Sequence, residues 1–197
     1  FILDETGSME TVKSQTISGF NEYIDTLKSD KNSKNMLFTL TQFNSNKVKV
    51  IYDAVTLENV AHRDGKNYRP AKLTPLYDAI GATIRSLEDK VNGKKQPALV
   101  VIQTDGQENA SKEFSRESIF KLIDEKKKLG WTFVFLGADQ DAWEASQAIG
   151  IFSNTVSYAG SNTKGTISGV ARGTSVYVAN SGAQTNSFYE DADKVTK

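Results

Sequence analysis

The chain opens on Phe1-Ile2-Leu3 and passes at once into Asp4-Glu5-Thr6-Gly7-Ser8-Met9, so a short apolar run ends in a carboxylate, two hydroxyls and a glycine. Three apolar residues are too few to trace a helical face, and a helical pattern begins near Met9. The stretch predicts a buried strand, a tight loop and a helix N-terminus. Asp4, Thr6 and Ser8 alternate, so in an extended or coiled loop their side chains can point the same way and present three oxygens to one point. Oxygen-only sets suit hard cations such as Mg2+ or Mn2+.

Beyond this loop the chain alternates helix with strand. Ile17, Phe20, Ile24 and Leu27 recur at helical spacing before the polar turn 29–33. Residues 36–43 and 47–54 read as two strands joined by Asn44-Ser45-Asn46, a link short enough for an antiparallel hairpin and too short for a parallel crossover. Residues 55–72 read as a connection with little regular structure. Leu76, Ile80, Ile84, Leu87 and Val91 mark a second helix closed by Asn92-Gly93, and Ala98-Leu99-Val100-Val101-Ile102 reads as a central strand buried on both faces. Ile119, Leu122, Ile123 and Leu129 give a third helix ended by Gly130, and 131–136 another buried strand. Asp141-Ala142-Trp143-Glu144 opens a short helix close to a capping box, which stops at Gly150. Thr155 to Tyr158 reads as a last short strand, 158–165 as a loop, and Ile167, Val170, Ala171, Thr174 and Val178 as one face of a final helix before a polar tail over 181–197.

This order predicts a single α/β domain over 1–197, a doubly wound, Rossmann-like, mostly parallel sheet with one antiparallel edge strand and helices on both faces. The chain begins inside what reads as a strand, so the first strand is expected to be truncated. With that strand central, the hairpin on one side and 98–104 on the other, the winding reverses between them. Asp4 and Asp105, each directly after its strand, then share the crevice where such sheets bind ligands.

Composition narrows the function classes. Lys plus Arg and Asp plus Glu are both 24, which gives no net pull toward nucleic acid or an anionic membrane surface. With no cysteine there is no disulfide, thiolate zinc site or cysteine nucleophile. No run approaches the roughly 20 apolar residues of a membrane span. The lack of cysteine and of a visible signal peptide favours a cytoplasmic location. His62, the one histidine, lies in a polar stretch without companion ligands and reads as an ordinary loop residue. Asp139-Gln140-Asp141 reads as loop and helix cap, and Lys94-Lys95 and Lys126-Lys127-Lys128 as solvated helix-end charge.

Taken singly, the site candidates have ordinary explanations: Ser8 and Thr74 as helix N-caps, the latter with Pro75 at the first helical position, and Asp105-Gly106 as a turn. Their convergence on one predicted crevice is less ordinary. Asp4-Glu5-Thr6-Gly7-Ser8-Met9 resembles the D-x-S/T-G-S-M signature of von Willebrand factor A (vWA) domains, the opening of their metal-ion-dependent adhesion site (MIDAS). Thr74 in Leu73-Thr74-Pro75-Leu76 matches that site's separate threonine, and Asp105 in Thr104-Asp105-Gly106 its second aspartate. Element order and spacing agree over nearly the whole chain.

The resemblance implies a metal set of Asp4, Thr6, Ser8, Thr74 and Asp105 for Mg2+ or Mn2+. Thr6 and Ser8 would coordinate directly, Asp4 and Asp105 mostly through water, and Thr74 either way. Thr6 stands where serine is commoner, which keeps the oxygen and adds a methyl. The implied function is a non-enzymatic, cation-dependent protein-binding module whose metal is completed by an Asp or Glu of the partner. Two alternatives stand beside it. A Mg2+-dependent phosphatase of the haloacid dehalogenase type also begins with an aspartate after its first strand, but needs a general acid two residues on, where this chain has Thr6. A metal-independent scaffold subunit would keep the fold and dispense with the cation.

Overall fold

The computed structural model describes residues 1–91, 96–105, 108–137, 142–157 and 163–189. Its strands are β1 (Ile2–Asp4), β2 (Leu37–Asn44), β3 (Lys47–Thr56), β4 (Leu99–Thr104), β5 (Thr132–Gly137) and β6 (Thr155–Ser157). Its α-helices are α1 (Lys13–Ser29), α2 (Leu76–Val91), α3 (Arg116–Lys128), α4 (Ala142–Ala148) and α5 (Thr163–Ala179). The sheet runs β3-β2-β1-β4-β5-β6, parallel throughout except for the β2–β3 hairpin, which places one antiparallel strand at an edge. Winding reverses between β1 and β4, so Asp4 and Thr104 end neighbouring strands as the sequence predicts.

Alternation along the strands divides the interior into two layers. Leu3, Val101, Val134 and Leu136 face α1 and α5, packing with Phe20, Tyr23, Ile24, Leu27, Ile167 and Val170. Ile2, Val100, Ile102, Phe133 and Phe135 face the other way, against Ile80 and Ile84 of α2, Ile119 and Ile123 of α3, and Ile149 just after α4. Each fully buried Leu, Ile or Phe contributes about 1.5–3 kcal/mol, so these two stripes on β4 and β5 hold the helices in place. In the first layer α1 and α5 approach closely: a Cβ on Gly19 would lie 2.8 Å from Ile167 Cγ1, and the Tyr23 and Thr174 hydroxyls are 3.1 Å apart.

Several expectations change. The helix expected from near Met9 starts as a 3-10 turn over Gly7–Val12 and becomes α-helical only at Lys13. A capping box that the sequence reading did not name opens α3, where Ser115 and Ser118 cap each other reciprocally, while the cap expected at Asp141 lies outside the described residues. The lysines at the end of α3 are not all solvated: Lys126 is buried, paired with Glu88 and 5.9 Å from the Trp131 ring centre, and Lys127 donates to the Gly150 carbonyl at 2.6 Å. Lys128 alone of the three fits the expectation, paired on the surface with Asp124. Nor is the stretch after 181 simply polar. Phe188 is fully buried, its ring filling the space beside Gly173, where a Cβ would come within 2.5 Å of it. Asn154 fixes this segment, donating to Thr185 O at 2.9 Å and accepting from Phe188 N at 3.1 Å. Asn92-Gly93, Lys94-Lys95, residues 139–141, 158–162 and 190–197 lie outside the described residues.

Candidate metal centre

Asp4 is the deepest group of the site. Its Oδ1 accepts the Thr6 amide at 2.7 Å and its Oδ2 the Thr104 hydroxyl at 2.6 Å, which ties the end of β1 to the end of β4. No Lys, Arg or His forms an ion pair with it among the described residues. Burial therefore dominates its ionisation. Desolvation pushes the carboxyl up to about 6, against the opposing hydrogen bonds from Thr104 and Thr6 and with a smaller push from the Asp105 charge.

From Asp4 the oxygens run outward. The Thr6 and Ser8 hydroxyls are 3.3 Å apart, and Ser8 Oγ donates to Asp105 Oδ1 at 2.8 Å. Thr6 is buried, Asp105 half-buried and Ser8 exposed, so the cluster opens to solvent on one side. Four of the five sequence candidates are thus joined by direct contacts. Thr74 is also buried, but among the described residues no hydrogen bond joins it to the other four. Ser8 is not a helix cap, because its hydroxyl is spent on Asp105. Nor does the Thr74 hydroxyl cap α2 among the described residues: the Tyr77 amide is taken by Glu108 Oε2 at 3.0 Å and the Asp78 amide by Ser111 Oγ at 3.1 Å.

The connection between β3 and α2 is a strap that sequence reading underrated. The Tyr68 hydroxyl donates to Asp4 O at 2.6 Å, the Arg69 amide to Glu5 Oε1 at 2.7 Å and the Ala71 amide to Glu5 O at 3.0 Å. Lys72 takes a left-handed conformation (φ 74°) and its carbonyl accepts the Gly7 amide at 2.9 Å. A Cβ on Gly7 would lie only 3.3 Å from that same carbonyl oxygen, which is why glycine suits this position. The strap is anchored by Arg63, buried over the Tyr52 ring at 5.3 Å with Nη2 donating to the Tyr52 hydroxyl at 2.8 Å. The one available signal was an aromatic and two arginines in an otherwise polar run. His62 is a surface residue, paired with Asp25 at 2.8 Å.

The loop after β4 was also missed. The Thr74 amide donates to Asn109 Oδ1 at 2.8 Å while the Asn109 amide donates back to Thr74 O at 3.1 Å. Asp78 of α2 accepts the amides of Lys112, Glu113 and Phe114 at 2.8–3.0 Å. Glu108 accepts those of Ala110 and Ser111 at 2.8 and 2.7 Å. Polar loop residues do not advertise such partners in a linear sequence.

The donor set fits a hard divalent cation. It consists of oxygen atoms only, mixes two carboxylates with neutral hydroxyls, and centres on a buried carboxylate lacking a cationic side-chain partner among the described residues.

A doubly wound sheet whose switch point carries Asp4, Thr6, Ser8 and Asp105 in one hydrogen-bonded cluster is the architecture of a vWA-type domain. Residues 1–180 match the sequence profile of the von Willebrand factor type A domain, and the chain belongs to that family. Among solved structures, the manganese-loaded TRAP protein of Plasmodium vivax is similar, with a TM-score of 0.54 and 16% identity, the match covering 79% of this chain and 66% of that one. No curated protein sequence matches significantly.

Proposed function

We propose that the chain is a divalent-cation-dependent protein-binding module in which Asp4, Thr6, Ser8, Thr74 and Asp105 hold Mg2+ or Mn2+. The observation carrying this reading is the continuous oxygen cluster from buried Asp4, whose charge no basic side chain offsets among the described residues, out to solvent-facing Ser8 and Asp105. When bound there, the cation supplies a Lewis-acidic positive centre to which an Asp or Glu of a protein partner adds as ligand. The chain's own groups prepare that event. Thr6 and Ser8 offer neutral oxygens, which offset the cation's charge less than further carboxylates would and keep an incoming anion favourable. Thr104 and the Thr6 amide hold Asp4 in one orientation, and Tyr68 and Glu5 fix the loop that carries the hydroxyls. The manganese-loaded state of the TRAP structure agrees with a divalent cation. Thr6 in place of a general acid supports a binding role over phosphoryl transfer.

Calorimetric titration of Mn2+ and Mg2+ into EDTA-stripped protein, wild type beside Asp4→Ala, tests the reading. Saturable binding lost in the variant supports it. Equal binding by both proteins would place the cation elsewhere, and turnover of a generic aryl phosphate would argue for an enzyme.

A further inference from the structure

Thr74 and Asp105 sit on segments far apart in sequence, yet the loop that follows β4 and Asp105 fastens onto Thr74. Asn109 exchanges two hydrogen bonds with Thr74, its Oδ1 taking the Thr74 amide at 2.8 Å and its own amide reaching Thr74 O at 3.1 Å. Both backbone polar groups of Thr74 are therefore held by one residue, four positions beyond Asp105. Glu108 makes that residue's placement rigid. Its Oε2 takes the Tyr77 amide and the Ser111 hydroxyl, at 3.0 and 2.7 Å, while its Oε1 takes the amides of Ala110 and Ser111. Asp78 closes the joint from the helix side, taking the amides at 112–114. By contrast, the Thr74 side chain shares no hydrogen bond with Asp4, Thr6, Ser8 or Asp105 among the described residues.

We propose that Asn109 is the positioning residue for Thr74, setting where its hydroxyl stands relative to Asp105. The inference rests on the proposed cation-binding function. Asn109 itself is not a cation ligand. It acts through Thr74, as outer partners orient ligands in metal centres generally. Glu108 and Asn109 bind the start of α2 to the loop segment 108–114, and each side of this joint also meets the β1 loop, through the Gly7 amide on Lys72 O and through the Ser8 bond to Asp105.

The test is a double-mutant cycle on the whole chain, read by Mn2+ titration calorimetry and by amide hydrogen exchange. Asn109→Ala is expected to raise the Mn2+ dissociation constant about tenfold, the low end for an outer partner of a metal ligand, and to speed exchange at the Thr74 amide. Added to Thr74→Ala, it is expected to cost nothing further, since the residue it positions is gone. Asn109→Asp keeps an acceptor oxygen and is expected to preserve slow Thr74 exchange and most of the affinity, which separates positioning from a general loss of folding. Wild-type affinity in Asn109→Ala, or full additivity with Thr74→Ala, would overturn the proposal while leaving the cation site standing. A wild-type chain that binds no Mn2+ would remove both.

Discussion

Ser8 and Asp105, separated by 97 positions, meet through a 2.8 Å hydrogen bond from Ser8 Oγ to Asp105 Oδ1, and this bond joins the β1 loop to the β4 loop at the solvent face. Ser8 is exposed, so water can take the place of its hydroxyl beside Asp105 and the Thr6 hydroxyl. Ser8→Ala is expected to change unfolding free energy by less than about 1 kcal/mol. It is also expected to weaken Mn2+ binding at least about tenfold, or ~1.4 kcal/mol. Urea unfolding and calorimetry on the same preparation check the two together.

The raised Asp4 carboxyl makes the metal-free domain sensitive to pH. In the unfolded chain this group releases its proton near its ordinary 3.8, whereas burial keeps it protonated up to about 6 in the fold. Between those values the folded state binds more protons, so stability falls as pH rises, by up to about 3 kcal/mol in total. Denaturation in EDTA at pH 4.5 and pH 7 is expected to show the loss, and Asp4→Asn to flatten it. Saturating Mn2+ at pH 7 is expected to restore stability, because the cation favours the ionised form.

Tyr68 ties the strap to the main chain of the key aspartate. Tyr68→Phe deletes a buried 2.6 Å bond and leaves the Asp4 carbonyl without it, an expected cost of about 1–2 kcal/mol. The variant is also expected to bind Mn2+ more weakly than wild type, because the β1 loop loses a fixed point. A loss of stability with unchanged affinity would show that the strap serves folding alone.

Gly81, inside α2, lies under the Phe114 ring, where an added Cβ would come within 2.4 Å of Phe114 Cζ. Alanine gains about 1 kcal/mol of helix propensity at this position, but overpacking typically costs about 1–3 kcal/mol. Gly81→Ala is expected to be net destabilising by chemical denaturation, and Phe114→Leu in the same chain to recover part of the loss.

The strand order, the hairpin and the position of Asp4 beside β4 were readable because apolar periodicity and a three-residue link admit few arrangements. The meeting of four of the five candidates was readable for a different reason: Asp4, Thr6 and Ser8 are close in sequence, and Asp105 directly follows the strand beside them. What escaped was side chain to backbone bonding over long separations. Asn109 capturing Thr74, Tyr68 reaching Asp4 and Glu5 receiving Arg69 leave no periodic trace, since each needs only one residue at one point. Lys126 misled for a related reason, its charge saying nothing of the Glu88 and Trp131 that enclose it.

Phe188 stands beyond residue 180, where the match to the family profile ends, yet its ring occupies the notch that Gly173 leaves on α5. The packed core of this protein therefore extends past the stretch that the family profile matches. A fragment trimmed at that outline would expose an apolar socket along its last helix, and in concentrated solution such a socket is an invitation to self-association.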